Sequence, residues 1–510
     1  MSLSVPDTHS LRRLARVVIE FTTPFHVGAG RECGGLDALV VTDANGLPAL
    51  PGSSLAGVLR AAFTRRHGQE RADDLFGWQN GDQGEGSLLV VSWACLHDRH
   101  DRPVEGLRDG LPGDDPVLTD ALGLRGRDHV RLGHRGAAEH GGKFDERHVA
   151  AGHRFTFELE LADKPADGDA DWQDLLALLD AGELRPGGKT RRGYGAFRVV
   201  RLAQATFDLA DALQFADSLG PPASLAEPAP ALTGGPPAAA AVADPGTVTL
   251  TLHLRPRGWW MFGGGEDVAD RADPADMAPL RDARIVGKNG ADPVARDLLV
   301  LPATALKGAL SNRVAFHANR LAGVWADQLA QQADDEAAMH RPGDPEPLSL
   351  KDRLRDRTGE ANEAVRELFG FQSGRWDGQR GRILLDDVFW PDTPAGATRP
   401  EPPAQRVPHV SIDRFTGGAA DGLLFDERPL WQGDFPPLVL RVTDAAQLPV
   451  AAKKALHAAL TDLAEGRLAL GAGAGRGLGY FEPAPGVAQP LQCSAGPAWF
   501  HQPPTARPHD

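Results

Sequence analysis

The sequence predicts an α+β fold: two tandem ferredoxin-like (RRM-like) βαββαβ units, each carrying a thumb-like hairpin insertion. Three observations lead there. Strand-like and helix-like stretches follow the same order in both halves of the 510 residues, eight short landmarks recur in that order, and a Pro/Ala/Gly-rich stretch at 218–246 separates the two series. A single match such as Phe-Asp-Glu-Arg carries little weight, but eight in one order signal duplication. The order strand, helix, strand, hairpin, strand, helix, strand is that of a ferredoxin-like unit, whose open antiparallel sheet is a common platform for RNA.

Each half opens on a strand: a β-branched run from Val17 to Phe21, and Val248, Leu250, Leu252 and Leu254 alternating with polar residues. A glycine-rich loop follows, then Asp-Ala-x-[Ile/Val]-Val at 37–41 and 282–286. Helix starts come next, PGSSLAGVLR at 51–60 and PATALKGALS at 302–311, and Leu-Phe-Gly follows at 75–77 and 368–370. Strands at 86–91 and 381–388 precede His-Val at 129–130 and 409–410. Phe-Asp-Glu-Arg recurs at 144–147 and 425–428, 15 and 16 residues after its histidine. Another strand and a helix (172–184 and about 450–465) lead to glycine loops at 187–197 and 471–481. The domains expected are 1–217, a linker at 218–246, 247–490 with an insertion near 322–357, and a C-terminal tail at 491–510.

Composition narrows the class. No apolar run approaches the ~20 residues needed to cross a bilayer, and the first residues lack a signal-peptide pattern. Three scattered cysteines, Cys33, Cys95 and Cys493, form no Cys-x-x-Cys pair, which excludes a disulfide framework. A cytoplasmic protein without a membrane partner is expected. The net charge of −15 at first disfavours nucleic acid. Residues 1–217 carry 25 basic and 33 acidic residues, the remainder 29 and 36, so neither half is a charged tail. Basic residues nevertheless gather at Arg185, Lys189, Arg191, Arg192 and Arg198 around the first glycine loop.

Those loops are the first candidates for chemistry. Glycines let backbone N–H groups approach an anion, and interleaved Lys189, Arg191 and Arg192, or Arg476 in the second loop, add phosphate affinity. Neither loop is a P-loop or a dinucleotide fingerprint, because each runs into an aromatic strand. The two tyrosines of the chain, Tyr194 and Tyr480, both lie in these loops. The helix starts are the second candidates: Gly52, Ser53 and Ser54 with Arg60, and Thr304 with Lys307. The third is the loop 26–37, where His26 opens a glycine run that ends on Asp37, a carboxylate able to act as a base or hold hydrated Mg²⁺. Five histidines between 129 and 153 lack metal-ligand spacing and read as a solvated, mobile hairpin.

Taken together, Gly28–Asp37, Pro51–Arg60, Leu75–Gly77, His129–Gly136 and Gly187–Phe197 resemble the RAMP superfamily of CRISPR proteins, most nearly the backbone subunit of type III effectors of the Csm/Cmr kind. The second half resembles it at Asp282–Val286, Leu301–Leu310, Leu368–Gly370, His409–Gly417 and Gly471–Phe481. The resemblance implies two such subunits fused in tandem. They would hold a guide RNA by its phosphates, press a thumb hairpin across the guide–target duplex, and work beside a polymerase-like large subunit, other RAMP subunits and a small subunit. It implies target RNA cleavage with Mg²⁺ (or Mn²⁺) and no organic cofactor, Asp37 being the catalytic and metal-bearing residue and Asp282 its counterpart. The second loop is longer and lacks Gly-Ser-Ser, so the second site departs from the pattern. Two other readings stay open: a non-catalytic backbone, and a metal-independent nuclease that processes precursor guide RNA with His26 as acid or base.

Overall fold

The computed structural model describes residues 10–28, 40–110, 113–133, 138–163, 168–221, 224–227, 229–235, 246–265, 274–286, 293–341, 345–355, 357–373, 377–390 and 400–504. In chain order the principal elements of the first half are β1 (Leu11–Phe21), α1 (Gly52–His67), α2 (Gln69–Phe76), β2 (Leu89–Val91), β3 (Arg125–Leu132), β4 (Ala138–His148), β5 (Arg154–Asp163), α3 (Gly168–Asp180), β6 (Phe197–Asp208) and β7 (Thr233–Gly235). Those of the second half are β8 (Val248–Leu252), β9 (Leu254–Pro256), β10 (Arg281–Ile285), β11 (Val294–Leu301), α4 (Ala303–Leu321), α5 (Ala326–Met339), α6 (Glu363–Phe369), β12 (Ile383–Leu385), β13 (Val388–Trp390), β14 (Val407–Ile412), β15 (Ala419–Glu427), β16 (Leu438–Val442), α7 (Val450–Ala464), β17 (Phe481–Pro483) and β18 (Leu491–Cys493). The chain is α+β, as expected.

In the first half the sheet runs β7-β6-β1-β5-β2 with antiparallel neighbours. Alternate residues of a strand share a face, and Ala15, Val17, Ile19 and Phe21 bury theirs against Leu55, Leu59 and Phe63 of α1 and Leu175, Leu176 and Leu179 of α3. Phe155, Phe157, Leu159 and Leu161 of β5 extend that face, with Ile19 opposite Phe155 and Val17 opposite Phe157. The second half repeats the plan. Its sheet runs β12-β16-β8-β18, and β17 pairs with β9. Leu250, Leu252, Leu438, Leu440 and Val442 meet Leu306, Leu310 and Val314 of α4 and Leu456, Leu460 and Leu463 of α7. A separate sheet, β10-β11-β13, leads into α4. In the expected insertion, α5 turns most of its residues to solvent and buries Leu329 and Ala333.

Three expectations are corrected. The outer face of the first sheet is no open platform. Arg16 pairs with Glu158, Arg12 with Glu160, and Arg154 and Arg198 with Glu20. Part of the expected linker then lies across this face: Arg16 donates to the carbonyls of Leu225 and Glu227, and Leu232 packs on Leu14 and Phe207. Its near lack of charge and its lack of period did not stop it docking, because the backbone supplies the polar contacts, carbonyls to Arg16 and the Leu225 and Ala226 N–H groups to Glu105, and Leu232 adds an apolar one. Residues counted as a C-terminal tail also belong to the second half. Leu491–Cys493 pair with β8, and Trp499 and Phe500 enter the core. Lastly, the hairpin histidines are not all solvated: His148 and His153 are fully buried.

The two halves meet at the backbone. Ile285 donates its N–H to the carbonyl of Ala151 at 2.9 Å, in a parallel bridge between Ala151 and Arg284. Gly152, at φ +90°, has its missing side chain aimed at the backbone of Ile285. Gly152→Ala therefore combines a left-handed backbone with a clash against a carbonyl. It is expected to cost about 2–4 kcal/mol, read as a lower denaturation midpoint in urea. No helix among the described residues is long and apolar enough to cross a membrane.

Candidate nucleic-acid interface

The seam between the halves concentrates the charge that the average composition conceals. From the first half come Arg65 on α1 and Arg185 and Arg191 beside the glycine loop; from the second come Lys307 on α4 and Arg380. Arg185 is fully buried. One of its nitrogens meets Asp386 at 2.5 Å, while Nε and Nη2 are buried with no hydrogen-bond partner among the described residues. Arg191 and Lys307 are half-buried, and Arg65 and Arg380 are exposed. Arg191 Nε donates to the carbonyl of Gly381 at 2.5 Å, and Arg380 donates to Thr190 Oγ1 at 2.9 Å, so loop and second half are cross-linked here. Burial, then the charges of Arg380, Arg185 and Arg65, push the Arg191 guanidinium down. Burial, then Arg192 and Arg191, push the Lys307 ammonium down to about 8. Asp444 and Glu360 oppose these shifts without outweighing them. Crowded cations with unused donors, graded from buried to open, form a seat for an anion.

The other expected contacts separate into reachable and unreachable groups. Arg192 Nη1 pairs with Glu146 at 2.6 Å and Lys189 Nζ with the same carboxylate at 3.3 Å. Arg476 Nη2 pairs with Glu427 at 2.5 Å. Arg60 is engaged by Asp73. Ser53 is exposed and Ser54 and Thr304 are half-buried. None of these three caps its helix with a side chain, since Pro51 and Pro302 hold the N-cap positions. Gly52 is buried because the backbone of Val91 fills the space its side chain would take, a packing role. His26 is buried under the glycine loop, with Nδ1 2.8 Å from the carbonyl of Arg147, and burial pushes its pKa down. Tyr194 is 1% exposed, so it cannot stack on a base. Its counterpart Tyr480 is half-buried, with the hydroxyl 3.4 Å from the carbonyl of Ala474.

Asp37 lies outside the described residues. Asp282, its counterpart, lies in β10 and is enclosed at the seam. Its Oδ2 accepts from Arg127 Nη2 at 2.9 Å and from His148 Nε2 at 2.8 Å, both on the first half's hairpin. Arg127 reaches on to Asp387 at 2.5 Å, and Asp387 accepts the N–H of Ala303 at the start of α4. His148 Nδ1 lies 3.4 Å from the Tyr194 hydroxyl. Burial alone would raise the Asp282 carboxyl, but the His148 hydrogen bond and charge, then Arg127, hold it well below the usual carboxylate range. With Oδ2 serving two donors and Oδ1 accepting the Ala283 N–H, this aspartate does not fit a divalent cation. Among the described residues no cluster of His, Cys, Asp or Glu could hold a metal. Asp282, expected to be catalytic, thus sits in an inter-half ion-pair network. Sequence reading missed Arg127, Asp387, Arg65 and Arg380 and took His148 for a solvated residue; Arg127 and Asp387 are 260 residues apart.

The chain has recognisable relatives. The chain matches the RAMP superfamily over residues 18–198 and 284–482, one match per half. It is 31% identical over 204 residues to a "CRISPR system Cms endoribonuclease Csm3" of Methanocaldococcus jannaschii, covering 36% of this chain and 78% of that one. It is also similar to a chain of the type III-B Cmr-beta complex bound to cognate target RNA (15% identity, TM-score 0.27), covering 38% of this chain and 60% of that one. In the apo state of Cmr-beta the likeness covers 38% of this chain and 98% of that one (15% identity, TM-score 0.29). With three quarters of its length matched in two successive regions, the chain belongs to the RAMP superfamily.

Proposed function

We propose that this chain is a guide-RNA-binding backbone subunit of a type III CRISPR effector, two RAMP units in one polypeptide. The observation that carries the reading is the seam. Arg65, Arg185 and Arg191 of one half converge with Lys307 and Arg380 of the other, with Nε and Nη2 of the buried Arg185 unused. A phosphodiester backbone supplies the anion such a seat needs, and single-stranded nucleic acid is held by charged grooves of this kind. Likeness to a Csm3 endoribonuclease supports the assignment. Each half is read as a ferredoxin-like unit, in keeping with the strand orders β6-β1-β5-β2 and β18-β8-β16-β12. The hairpins β3–β4 and β14–β15 serve as thumbs. Their exposed Val130 and Leu132, and Val410, Ile412, Phe415 and Leu424, supply apolar surface to press against bases. Target RNA and the other effector subunits complete the assembly.

We assign target RNA cleavage to Asp37 alone, with Mg²⁺ (or Mn²⁺), and a guide-binding role without cleavage to the second half, because Asp282 is committed to Arg127 and His148. His26, buried and bonded to a backbone carbonyl, does not suit the precursor-processing reading. The test is the assembled complex with a complementary RNA. Cleavage is expected to need divalent metal and to fall at least about 100-fold in Asp37→Ala, measured as single-turnover product formation. Unchanged cutting in Asp37→Ala would overturn the assignment to Asp37 alone, and unchanged cutting in Asp37→Ala with Asp282→Ala would return the chain to a purely structural backbone.

A further inference from the structure

Each half builds the same four-residue stack where its hairpin meets its glycine loop. In the first half the His129 ring stacks on Phe144 with centroids 5.2 Å apart and planes 20° apart, and the Arg192 guanidinium carbon lies 5.1 Å from the centre of the same ring. Glu146 joins them, 2.6 Å from Arg192 Nη1 and 3.4 Å from His129 Nε2. In the second half His409 stacks on Phe425 at 5.0 Å and 23°, Arg476 lies 5.6 Å from that ring, and Glu427 is 2.5 Å from Arg476 Nη2 and 2.9 Å from His409 Nε2. The carboxylates are buried, with side chains 2% and 1% exposed, whereas the arginine side chains are 43% and 39% exposed. Burial would raise the Glu146 carboxyl, but the nearby His129 and the charges of Lys189 and Arg192 bring it down to about 2.

We propose that Glu146 and Glu427 are positioning residues that aim Arg192 and Arg476, one per half, at phosphates of the same RNA strand. The inference rests on the guide-RNA reading above. A planar guanidinium held at one edge by a carboxylate and on one face by an aromatic ring has lost its rotational freedom, while its remaining donors stay in reach of solvent. Such a fork suits an anionic oxygen. The arrangement occurs twice at equivalent places of a duplicated chain, so the ligand it fits is itself repetitive, as a nucleic-acid backbone is.

The sign of one substitution separates positioning from plain electrostatics. Glu146→Gln with Glu427→Gln removes two negative charges near the RNA, which would tighten binding if charge alone mattered. The positioning role instead gives binding about 10-fold weaker, because the guanidiniums are no longer fixed. The full chain is titrated with a labelled single-stranded RNA long enough to span both halves, across a salt series. Arg192→Ala with Arg476→Ala is expected to flatten the slope of log K against log salt by about 1.4, at roughly 0.7 per phosphate of a single strand. The Gln pair should reproduce part of that flattening, and Glu→Asp at both sites should restore part of the affinity. Unchanged or tighter binding by the Gln pair, with thermal unfolding unaltered, overturns the positioning role. An unaltered salt slope in the double Arg variant overturns the two seats while leaving the guide-RNA reading intact. A wild-type chain and assembled complex that both fail to bind RNA would remove that reading itself.

Discussion

Arg127→Met is expected to destabilise the protein by about 3–5 kcal/mol, the largest effect of any single substitution at the seam. The guanidinium is 4% exposed and pairs with Asp282 and Asp387. Attraction between buried charges roughly offsets their desolvation, so an intact pair adds little, whereas removing one member strands the other without solvent or partner. Here one substitution leaves the buried Asp387 without a cation, its charge met by the Ala303 N–H, and leaves Asp282 with His148, the Ala283 N–H and the more distant Arg125. The check is urea denaturation at neutral pH. A triple variant, Arg127→Met with Asp282→Asn and Asp387→Asn, should recover much of the loss, since no buried charge is left unmatched. A loss under about 1 kcal/mol for Arg127→Met would show that the seam opens to water. The pH dependence has a defined sign. The carboxyl of Asp282 titrates below its unfolded value in the folded chain, so its contribution is complete above about pH 4 and is lost as the solution is acidified further.

Arg191→Gln combined with Lys307→Met is expected to weaken RNA binding by about 100-fold or more, and to stabilise the RNA-free protein. Each cation is crowded by the others, so the free protein gains when two are removed, while the phosphate loses two charge-assisted contacts, each worth about 1.5–3 kcal/mol before solvent screening. Opposite changes in melting temperature and RNA affinity are the signature. A fall in both would make the cluster structural. The Lys307 ammonium, pushed down to about 8 from 10.5, adds a proton signature. Between about pH 8 and 10.5 the unfolded chain binds more protons than the folded one, so stability attributable to this group rises with pH across that window. A phosphate beside Lys307 favours its charged form, and RNA binding near pH 8–9 should take up protons. Calorimetry in buffers of different ionisation enthalpy measures this directly.

Much of the fold could be read from the sequence because duplication supplied an internal check. The β1 and β8 runs, the helix starts at Pro51 and Pro302 and the two glycine loops take equivalent places in both halves. The recurring Phe-Asp-Glu-Arg and His-Val motifs contained more than they disclosed, since Phe144, Glu146, Phe425, Glu427, His129 and His409 build the paired stacks. Their arginines, 46 and 49 residues further on, gave no local sign of belonging to them. The seam was illegible for the same reason: a strand motif on Asp282 does not reveal that Arg127 will close over it. Residues 224–232 looked like an inert spacer because Pro and Ala carry no charge or period. Arg16 reads their carbonyls, which every sequence possesses.

The Arg127 network also makes the two halves non-interchangeable. Aligning His129 with His409 and Glu146 with Glu427 sets Val407 and Pro429 where the first half has Arg127 and His148. The outgoing hairpin of the second half therefore lacks the charged plug that seals the first onto its neighbour. Head-to-tail contacts that repeat without closing produce open fibres. In this chain the plug is spent once, inside the polypeptide, so a second copy cannot extend it by the same ion pairs. The order of the two units is thereby written into the interface as well as into the peptide chain.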